Sequence, residues 1–557
     1  MKQIDLQLRR LRWGKKVFIS LNLSKDLKDT QFGEMELQHT RRILINMFYS
    51  PMFKLIDHIL NTIPMYRMTL YFVMFLWITA IIFGFFGALP YSGFEIMLSG
   101  IFFSFVSWLV NECGAFILNV PTNHESAFIT GLILTLIVSP ASSVSELWTL
   151  GAIASIAMGS KYIFAIRGKH IFNPAGIAVV ISGFMFEQGA SWWIGTITMV
   201  PFVVFGGYFL VRKIAREDMA FSFVFSVLSI GLSYALFQEF DILTTLDQIV
   251  LSSGLLFFAT VMLTEPRTTP PTRRLRIIYG MITGSLFLPF MHIWSLYATP
   301  ELALIIGNIF VYLVSSKQKL VLSLAHVDKL SVDLYEFSFT SNRKFNFKAG
   351  QYLEWTLGNV AHNLKGNRRY FTIASSPGER VIKVAMRMQE PVSEFKHEML
   401  ALSVGDTISA SQLSGDFVLP EDVSRKLAFI AGGIGITPFR SMVTHMLDTA
   451  DSRVVTLFYA GRTIHDIVYT DVFERAREEV GIETIYTVDD VHAISQGWNG
   501  NVGRITGAMI RDAMPDYHER LFYISGSHVL VSGMQKILKE LGVARSNIKT
   551  DYFPGII

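Results

Sequence analysis

Between Met68 and Ser315 the chain carries ten apolar stretches, and the loops joining them alternate between basic or merely polar ones and ones with no Lys or Arg at all. The stretches cover 68–89, 96–118, 126–140, 145–165, 170–186, 193–212, 219–239, 247–264, 275–297 and 300–315. Loops 90–95, 141–144, 187–192, 240–246 and 298–299 lack Lys and Arg, whereas the opposite set holds Lys161, Arg167, Lys169, Arg212, Lys213, Arg216, Arg267, Arg273, Arg274 and Arg276. Such asymmetry orients a polytopic membrane protein with its basic loops in the cytoplasm. An even number of spans returns the chain to its starting side. The reading is therefore a multi-pass protein of the cell membrane with both termini cytoplasmic. Composition agrees: 51% hydrophobic residues and 45 Phe exceed what one soluble core needs, so the excess faces lipid. Several stretches fall short of the roughly 20 residues a straight spanning helix requires, which predicts tilted or broken helices.

The arm before the first stretch, 1–67, has no signal-peptide layout, because no small-residue cleavage site follows a short apolar core. Its run LRRLRWGKK suits anionic headgroups as well as it suits plain solvation. A net charge of +4 without a nucleic-acid motif excludes RNA or DNA as a partner. Cys113 is the only cysteine, so no disulfide forms within the chain and an iron–sulfur cluster lacks its ligands. No metal site is expected, and the thiol is expected to be buried packing.

The third and eighth stretches align as SAFITGLILTLIVSP and VLSSGLLFFATVMLTEP, each a small-residue entry into an apolar run that ends at Pro. Five spans separate them, and an odd offset inverts one half against the other, as in repeats that hold a ligand between them near the midplane. Two segments are polar for their setting: NVPTNHESAFITG before the third span and RGKHIFNPAG before the fifth. Asn123, Ser126 and Asn173 can cap their own helices, or their helix starts can meet the carbonyls of a bound flavin or quinone ring. A transporter carrying a nucleotide sensor is the non-enzymatic alternative. It would need a carboxylate or Lys in a span centre, and none stands there.

PTNHESAFITGLILTL, KHIFNPAG and FFATVMLTEPRTTPPTRRLRIIYG resemble NqrB, a membrane component of the sodium-translocating NADH:quinone oxidoreductase (Nqr), and RnfD, its counterpart in the Rnf complex, over about residues 40–315. The resemblance implies ten helices, flavin within the membrane and electron transfer through it. It also implies a covalent FMN on the threonine of a Ser-Gly-Ala-Thr type motif at the extracytosolic side. The corresponding loop here reads EQGASW, so a membrane flavin, FMN or riboflavin, is expected to be non-covalent. Haem is the competing carrier, but His124, His170 and His292 offer no axial pair spaced along one helix.

After Ser315 the texture changes. Residues 316–425 carry short β-like runs such as VLSLAHV, LYEFSFT, QYLEWTL and KVAMRM between Gly, Asn and Pro turns, which predicts a small antiparallel barrel. Residues 426–557 alternate apolar strands with helices, which predicts a parallel α/β sheet. Together they resemble the ferredoxin–NADP⁺ reductase superfamily. Arg369, Phe371 and Thr372 in RRYFTIASSP match its R-x-[YF]-[ST] flavin motif, which implies a guanidinium on the FAD phosphate, an aromatic on the isoalloxazine and a hydroxyl toward its reactive edge. Ser393 in EPVSEFKHEML starts a helix whose free N–H groups suit the pyrophosphate. In LAFIAGGIGITPFRSM, Gly432, Gly433 and Gly435 let a dinucleotide approach the backbone while Thr437 and Pro438 open the helix. LFYISGSHVLVSGM matches the family's C-G-P-x-x-[ML] loop at Gly526, with Ser525 and Ser527 in place of Cys and Pro. The ending DYFPGI resembles the family's acid-x-Phe terminus at Asp551 and Phe553. The resemblance assigns catalysis to Thr372, Ser525 and Phe553. Arg462 in FYAGRT can meet a 2′-phosphate or stack on adenine; with no second cation beside it, NADH is favoured over NADPH.

The expected fold is thus a polytopic α-helical domain (68–315) with an inverted 5+5 repeat, an FAD barrel and an NAD(P)-binding α/β domain. The expected activity is NADH oxidation through FAD into the membrane domain. The outlet is an extracytosolic acceptor such as a flavoprotein, or a quinone within the bilayer.

Overall fold

The computed structural model describes residues 63–552 apart from 119–123, 167–168, 291, 294–295, 316–319, 342, 344, 358–367, 391 and 491–497. Of the N-terminal arm only 63–67 fall among them. The described residues belong to one unit, Ile63–Ile557.

The membrane half is built from α1 (Met65–Phe85), α2 (Gly93–Leu118), α3 (His124–Ile137), α4 (Val144–Ile163), α5 (Pro174–Phe186), α6 (Val200–Lys213), α7 (Glu217–Phe237), the bent pair α8 (Ile242–Ser252) and α9 (Leu255–Met262), α10 (Arg273–Ser285) and α11 (Pro300–Val314). Among the described residues three helices, α1, α2 and α7, are long and apolar enough to cross a membrane, and α8–α9, bent by 52°, makes a fourth if counted as one span. That is fewer than the ten spans expected. Prolines account for much of the shortening. Pro174 and Pro201 sit in the first turns of α5 and α6, so these helices begin later than the apolar runs do. The ninth run was expected to reach 297, but α10 stops at Ser285, and Pro289 and a two-residue hairpin, His292–Ile293 with Leu296–Tyr297, follow it.

The two stretches aligned as repeats become the enclosed centre of this half. α3 buries every residue from Ile129 to Ile137, and α9 buries Leu255, Phe257, Phe258, Ala259, Val261 and Met262. Ser126 at the start of α3 and Glu265 just past the end of α9 line one cavity. The bend before α9 falls at Gly254 (φ +70°), whose backbone lies so close to Gly195 that a Cβ there would come within 2.3 Å of it. Cys113, expected to be packed inside, is exposed: Asn111 and Ala115 face inward, which turns residue 113 outward.

The C-terminal half opens with an antiparallel six-stranded sheet: β1 (Leu320–Lys329), β2 (Leu334–Ser341), β3 (Tyr352–Thr356), β4 (Arg368–Thr372), β5 (Ile382–Arg387) and β6 (Thr407–Ser414) in the order β4-β3-β6-β1-β2-β5, with α12 (Glu394–Ala401) between β5 and β6. Its core includes Trp355, Phe337, Phe339 and, from α12, Phe395 and Met399. A parallel sheet follows, built from β7 (Leu427–Gly432), β8 (Val455–Gly461), β9 (Glu483–Val488), β10 (Asn501–Val502), β11 (Leu521–Gly526) and β12 (Ile548–Tyr552) in the order β10-β9-β8-β7-β11-β12. Helices α13 (Thr437–Thr449), α14 (Thr470–Val480), α15 (Gly507–Ala513) and α16 (His528–Glu540) connect it. Apolar runs such as LAFIA, buried throughout, mark its central strands, as a sheet covered on both faces demands.

Candidate functional site

Strand alternation sends Arg369 and Phe371 of β4 to the same face, where both meet α12: the guanidinium stands 5.5 Å and the Phe371 ring 5.8 Å from the ring centre of Phe395. Arg369 Nη1 donates to the Arg368 carbonyl at 2.6 Å. Burial pulls the Arg369 guanidinium below its ordinary value. Lys396 is lowered as well, by desolvation first and then by Arg369 and Arg387. Cations are thus crowded at the start of α12, where Ser393 is the N-cap residue but its side chain makes no capping bond. Crowded cations beside open first-turn N–H groups favour an anion. Thr372 is buried at the end of β4. The turn after it is bolted to α13: Arg440 donates to the Ala374 carbonyl at 2.9 Å and pairs with Glu379, and Ser441 donates to the Ser375 carbonyl at 2.6 Å.

The remaining reductase candidates line up along consecutive carboxyl ends of the parallel strands, the edge where open α/β sheets hold ligands. Gly432 ends β7, and a 3₁₀ turn, Gly433–Ile436, leads into α13 at Thr437 and Pro438. Gly433 has φ +52°, and a Cβ on Gly435 would come 2.5 Å from the Ser525 carbonyl and 2.6 Å from Gly526, so neither position suits a side chain. Ser525 at the end of β11 is fully buried and its Oγ has no partner among the described residues. Ser527 caps α16, accepting from the Leu530 amide at 3.3 Å. Asp551 of β12 is in register with Ser525, and desolvation pushes its carboxyl up to about 6. Phe553 lies outside the described residues. Arg462, just past β8, is exposed; Asp466 accepts its amide at 2.9 Å, takes the Thr463 amide at 2.9 Å and pairs with Arg387.

In the membrane half, a narrow cleft of about 60 Å³ is lined by Tyr66, Ser126, Thr130, Asn173, Thr264 and Glu265 among others. Two of the sequence candidates therefore meet there, while Asn123 lies outside the described residues. Ser126 Oγ accepts from Lys161 at 3.0 Å. Asn173 caps α5, its Oδ1 accepting from the Gly176 amide at 3.0 Å, and its own amide donates to Asn308 at 2.8 Å. His170 stands 3.3 Å from Glu265, and His124 stands 3.0 Å from Glu112. A second, open cleft of about 530 Å³ includes Tyr91, Ser191, Trp192, Trp193 and Asp247.

The other face of β4 bonds to β3. Arg368 and the Tyr370 hydroxyl both bond to Glu354, at 3.3 and 2.8 Å. Desolvation of its hydroxyl end, then Glu354 and Tyr66, a wall of the inner cleft, raise Tyr370 well above its ordinary value, although 44% of the residue is exposed. Phe395, Tyr66 and Glu265 were not singled out from sequence. Phe395 and Glu265 sit inside quoted segments, but a single Phe or Glu there carries no signal until the fold brings its partner to it.

The C-terminal half thus pairs an antiparallel β domain with a parallel α/β sheet of the nucleotide-binding kind, and part of that sheet matches a known family. Residues 429–537 match the family described as "Oxidoreductase NAD-binding domain". The chain is 25% identical over 220 residues to the phenol hydroxylase P5 protein of Acinetobacter pittii (strain PHEA-2), covering 38% of this chain and 59% of that one. It is 25% identical over 201 residues to the F component of the Na(+)-translocating NADH-quinone reductase of Marinomonas sp. (strain MWYL1), covering 34% and 49%. The chain spans about half the length of these curated relatives. Among solved structures, the flavohem-like FAD/NAD binding domain of nitric oxide dioxygenase from Vibrio cholerae O1 biovar El Tor matches with a TM-score of 0.38 and 17% identity over 42% of this chain and 98% of that one.

Proposed function

We propose that the chain is a membrane-bound, NADH-oxidising flavoprotein whose FAD passes electrons through the membrane half to an extracytosolic acceptor. The observation that carries this reading is the cation and aromatic set that Arg369, Phe371, Phe395 and Lys396 build at β4 and α12, in a module that touches the membrane half where Asp416 meets Arg273 and Arg276. FAD, when bound, takes two electrons as hydride and releases them singly. Arg369, Lys396 and the first turn of α12 hold its phosphates, Phe371 packs on its ring, and Thr372 addresses its reactive edge. The loops at Gly432–Gly435 and Ser525–Gly526 seat the nicotinamide nucleotide. Arg462 meets its adenosine end, and NADH is the favoured donor.

A non-covalent flavin in the membrane half, FMN or riboflavin, belongs to this reading, and what supports it is the polar lining of the inner cleft at Ser126, Thr130, Asn173, Thr264 and Glu265. The resemblance to NqrB and RnfD, a ten-span topology in the cell membrane, cytoplasmic termini and the domain limits 68–315, 316–425 and 426–557 belong to the same proposal. Supporting it, the basic residues Arg67, Lys161, Arg267 and Arg276 gather at the end that faces the reductase module. The test uses proteoliposomes with the reductase module outside, a membrane-impermeant oxidant trapped inside and NADH added outside. Reduction without quinone is expected. Reduction only on adding quinone makes the protein an NADH:quinone oxidoreductase instead, and neither result, with NADH:ferricyanide activity intact, turns the reading to a transporter with a nucleotide sensor.

A further inference from the structure

The reductase module is joined to the membrane half by one covalent tether, between Val314 and Leu320. A head on a single tether is free to swivel, because domain motion is the default unless an interface is large. A second attachment exists. Asp416, just beyond β6, accepts the amide of Arg273, the first residue of α10, at 2.9 Å, and lies 3.8 Å from Arg276 Nη1.

Helix α10 is built in a way that calls for this contact. Its N-cap, Thr272, makes no side-chain capping bond, and its first turn holds no acid. Arg273 and Arg274 stand there instead, putting positive charge at the positive end of the helix dipole. Arg276 is clamped from within the membrane half by Asp218 of α7, at 2.9 to 3.2 Å. Asp218 also lies 3.9 Å from Arg273 Nε, but the acceptor for the first amide of α10 comes from the other module. Asp416 is also no loose loop residue. Phe417 beside it is wedged against Phe439 and Tyr523, and the Val418 carbonyl accepts from Tyr523 at 2.7 Å and Lys549 at 3.2 Å. Moving Asp416 therefore moves the nucleotide sheet.

We propose that Asp416 is a docking latch: a positioning residue that caps α10 and holds the reductase module in register with the membrane half. This rests on the electron-transfer reading above. The latch is ionic and half-exposed, so salt weakens it. Passage of electrons into the membrane half then depends on ionic strength, whereas NADH oxidation by a soluble acceptor at the head does not.

The test uses the full chain in liposomes, wild type against Asp416→Ala and Asp416→Asn, with three readouts: ferricyanide reduction, reduction of the trapped oxidant or of quinone, and hydrogen exchange of the Arg273 amide. In Asp416→Ala, exchange at Arg273 should rise about tenfold or more as the amide loses its acceptor. Reduction of the trapped oxidant or of quinone should fall about tenfold through lost alignment, with ferricyanide reduction within about twofold of wild type. Asp416→Asn, which keeps an acceptor but no charge, should fall between the two and lose the salt dependence. Unchanged exchange in Asp416→Ala would overturn the latch outright. Faster exchange with unchanged electron passage would overturn its positioning role. If wild type reduces ferricyanide but neither other acceptor, the proposed function fails by itself, and the latch stands or falls on the exchange.

Discussion

The two halves satisfy their polar groups in different ways. Inside the membrane half, hydroxyls bond back along their own helices: Thr130 to Ser126, Thr135 to Gly131, Thr260 to Leu256, Thr264 to Thr260 and Thr283 to Tyr279, at 2.7 to 2.9 Å. In the reductase module, buried polar groups tie separate elements together, as Arg440 does with Glu379, Lys383 with Glu336 and Arg520 with Thr456. In a setting with no water, a donor is safest within its own helix. Where water bounds the core, a charge can be enclosed if its partner comes from another element, and the pair then fixes how the elements sit. The membrane half keeps a few cross-helix pairs, such as Arg276 with Asp218 and Asn173 with Asn308, but its threonines serve their own helices.

Arg369→Ala should break the comparison most severely. It removes the cation proposed to hold the FAD phosphate, so NADH:ferricyanide activity should drop by about 100-fold or more, with flavin absorbance per protein falling in parallel. Full flavin occupancy in that variant would refute the role given to Arg369. Arg440→Ala comes next. Loss of a largely buried partner of Glu379 and of the Ala374 carbonyl should cost about 3 kcal/mol, read as a lower unfolding temperature of the reductase module.

Asp551→Asn should act through pH. The folded carboxyl titrates at about 6, above its ordinary value, so folding retains a proton that the unfolded chain releases. Stability therefore falls as pH rises from about 4 to 6 and levels off above that range. The Asn variant should flatten that fall and melt about 2–4 °C higher at pH 7, measured by thermal unfolding at stepped pH. The smallest effect is expected from Thr135→Val, where a hydroxyl serving only its own helix is removed. A change within about 1 kcal/mol in thermal stability keeps the contrast; a larger loss would mean that such hydroxyls hold helices to one another.

The barrel and the parallel sheet were legible because strand periodicity and glycine turns are local properties. The motif residues of β4 and of the Gly432–Gly435 loop were legible for the same reason. Helix positions in the membrane half followed from hydropathy, but helix lengths did not: hydropathy is blind to Pro174, Pro201 and Pro289 as starts and stops. Cys113 was misjudged because the burial of one helix face depends on which neighbours pack against it. Asn173 was readable as a cap, and its cap bond is present. Tyr66 and Asp416 carried no signal, since each acquires its role only when the two halves meet.

Fusion changes what the junction has to achieve. Because Val314 and Leu320 bind the modules into one chain, docking is intramolecular, and a short tether supplies an effective concentration in the millimolar range. A single half-exposed carboxylate, far too weak to recruit a separate reductase from solution, is then sufficient to populate the docked arrangement. If Asp416 is the latch proposed above, the same weakness predicts a head that lets go and re-engages rapidly, so that one reductase would serve one membrane half without being locked to it.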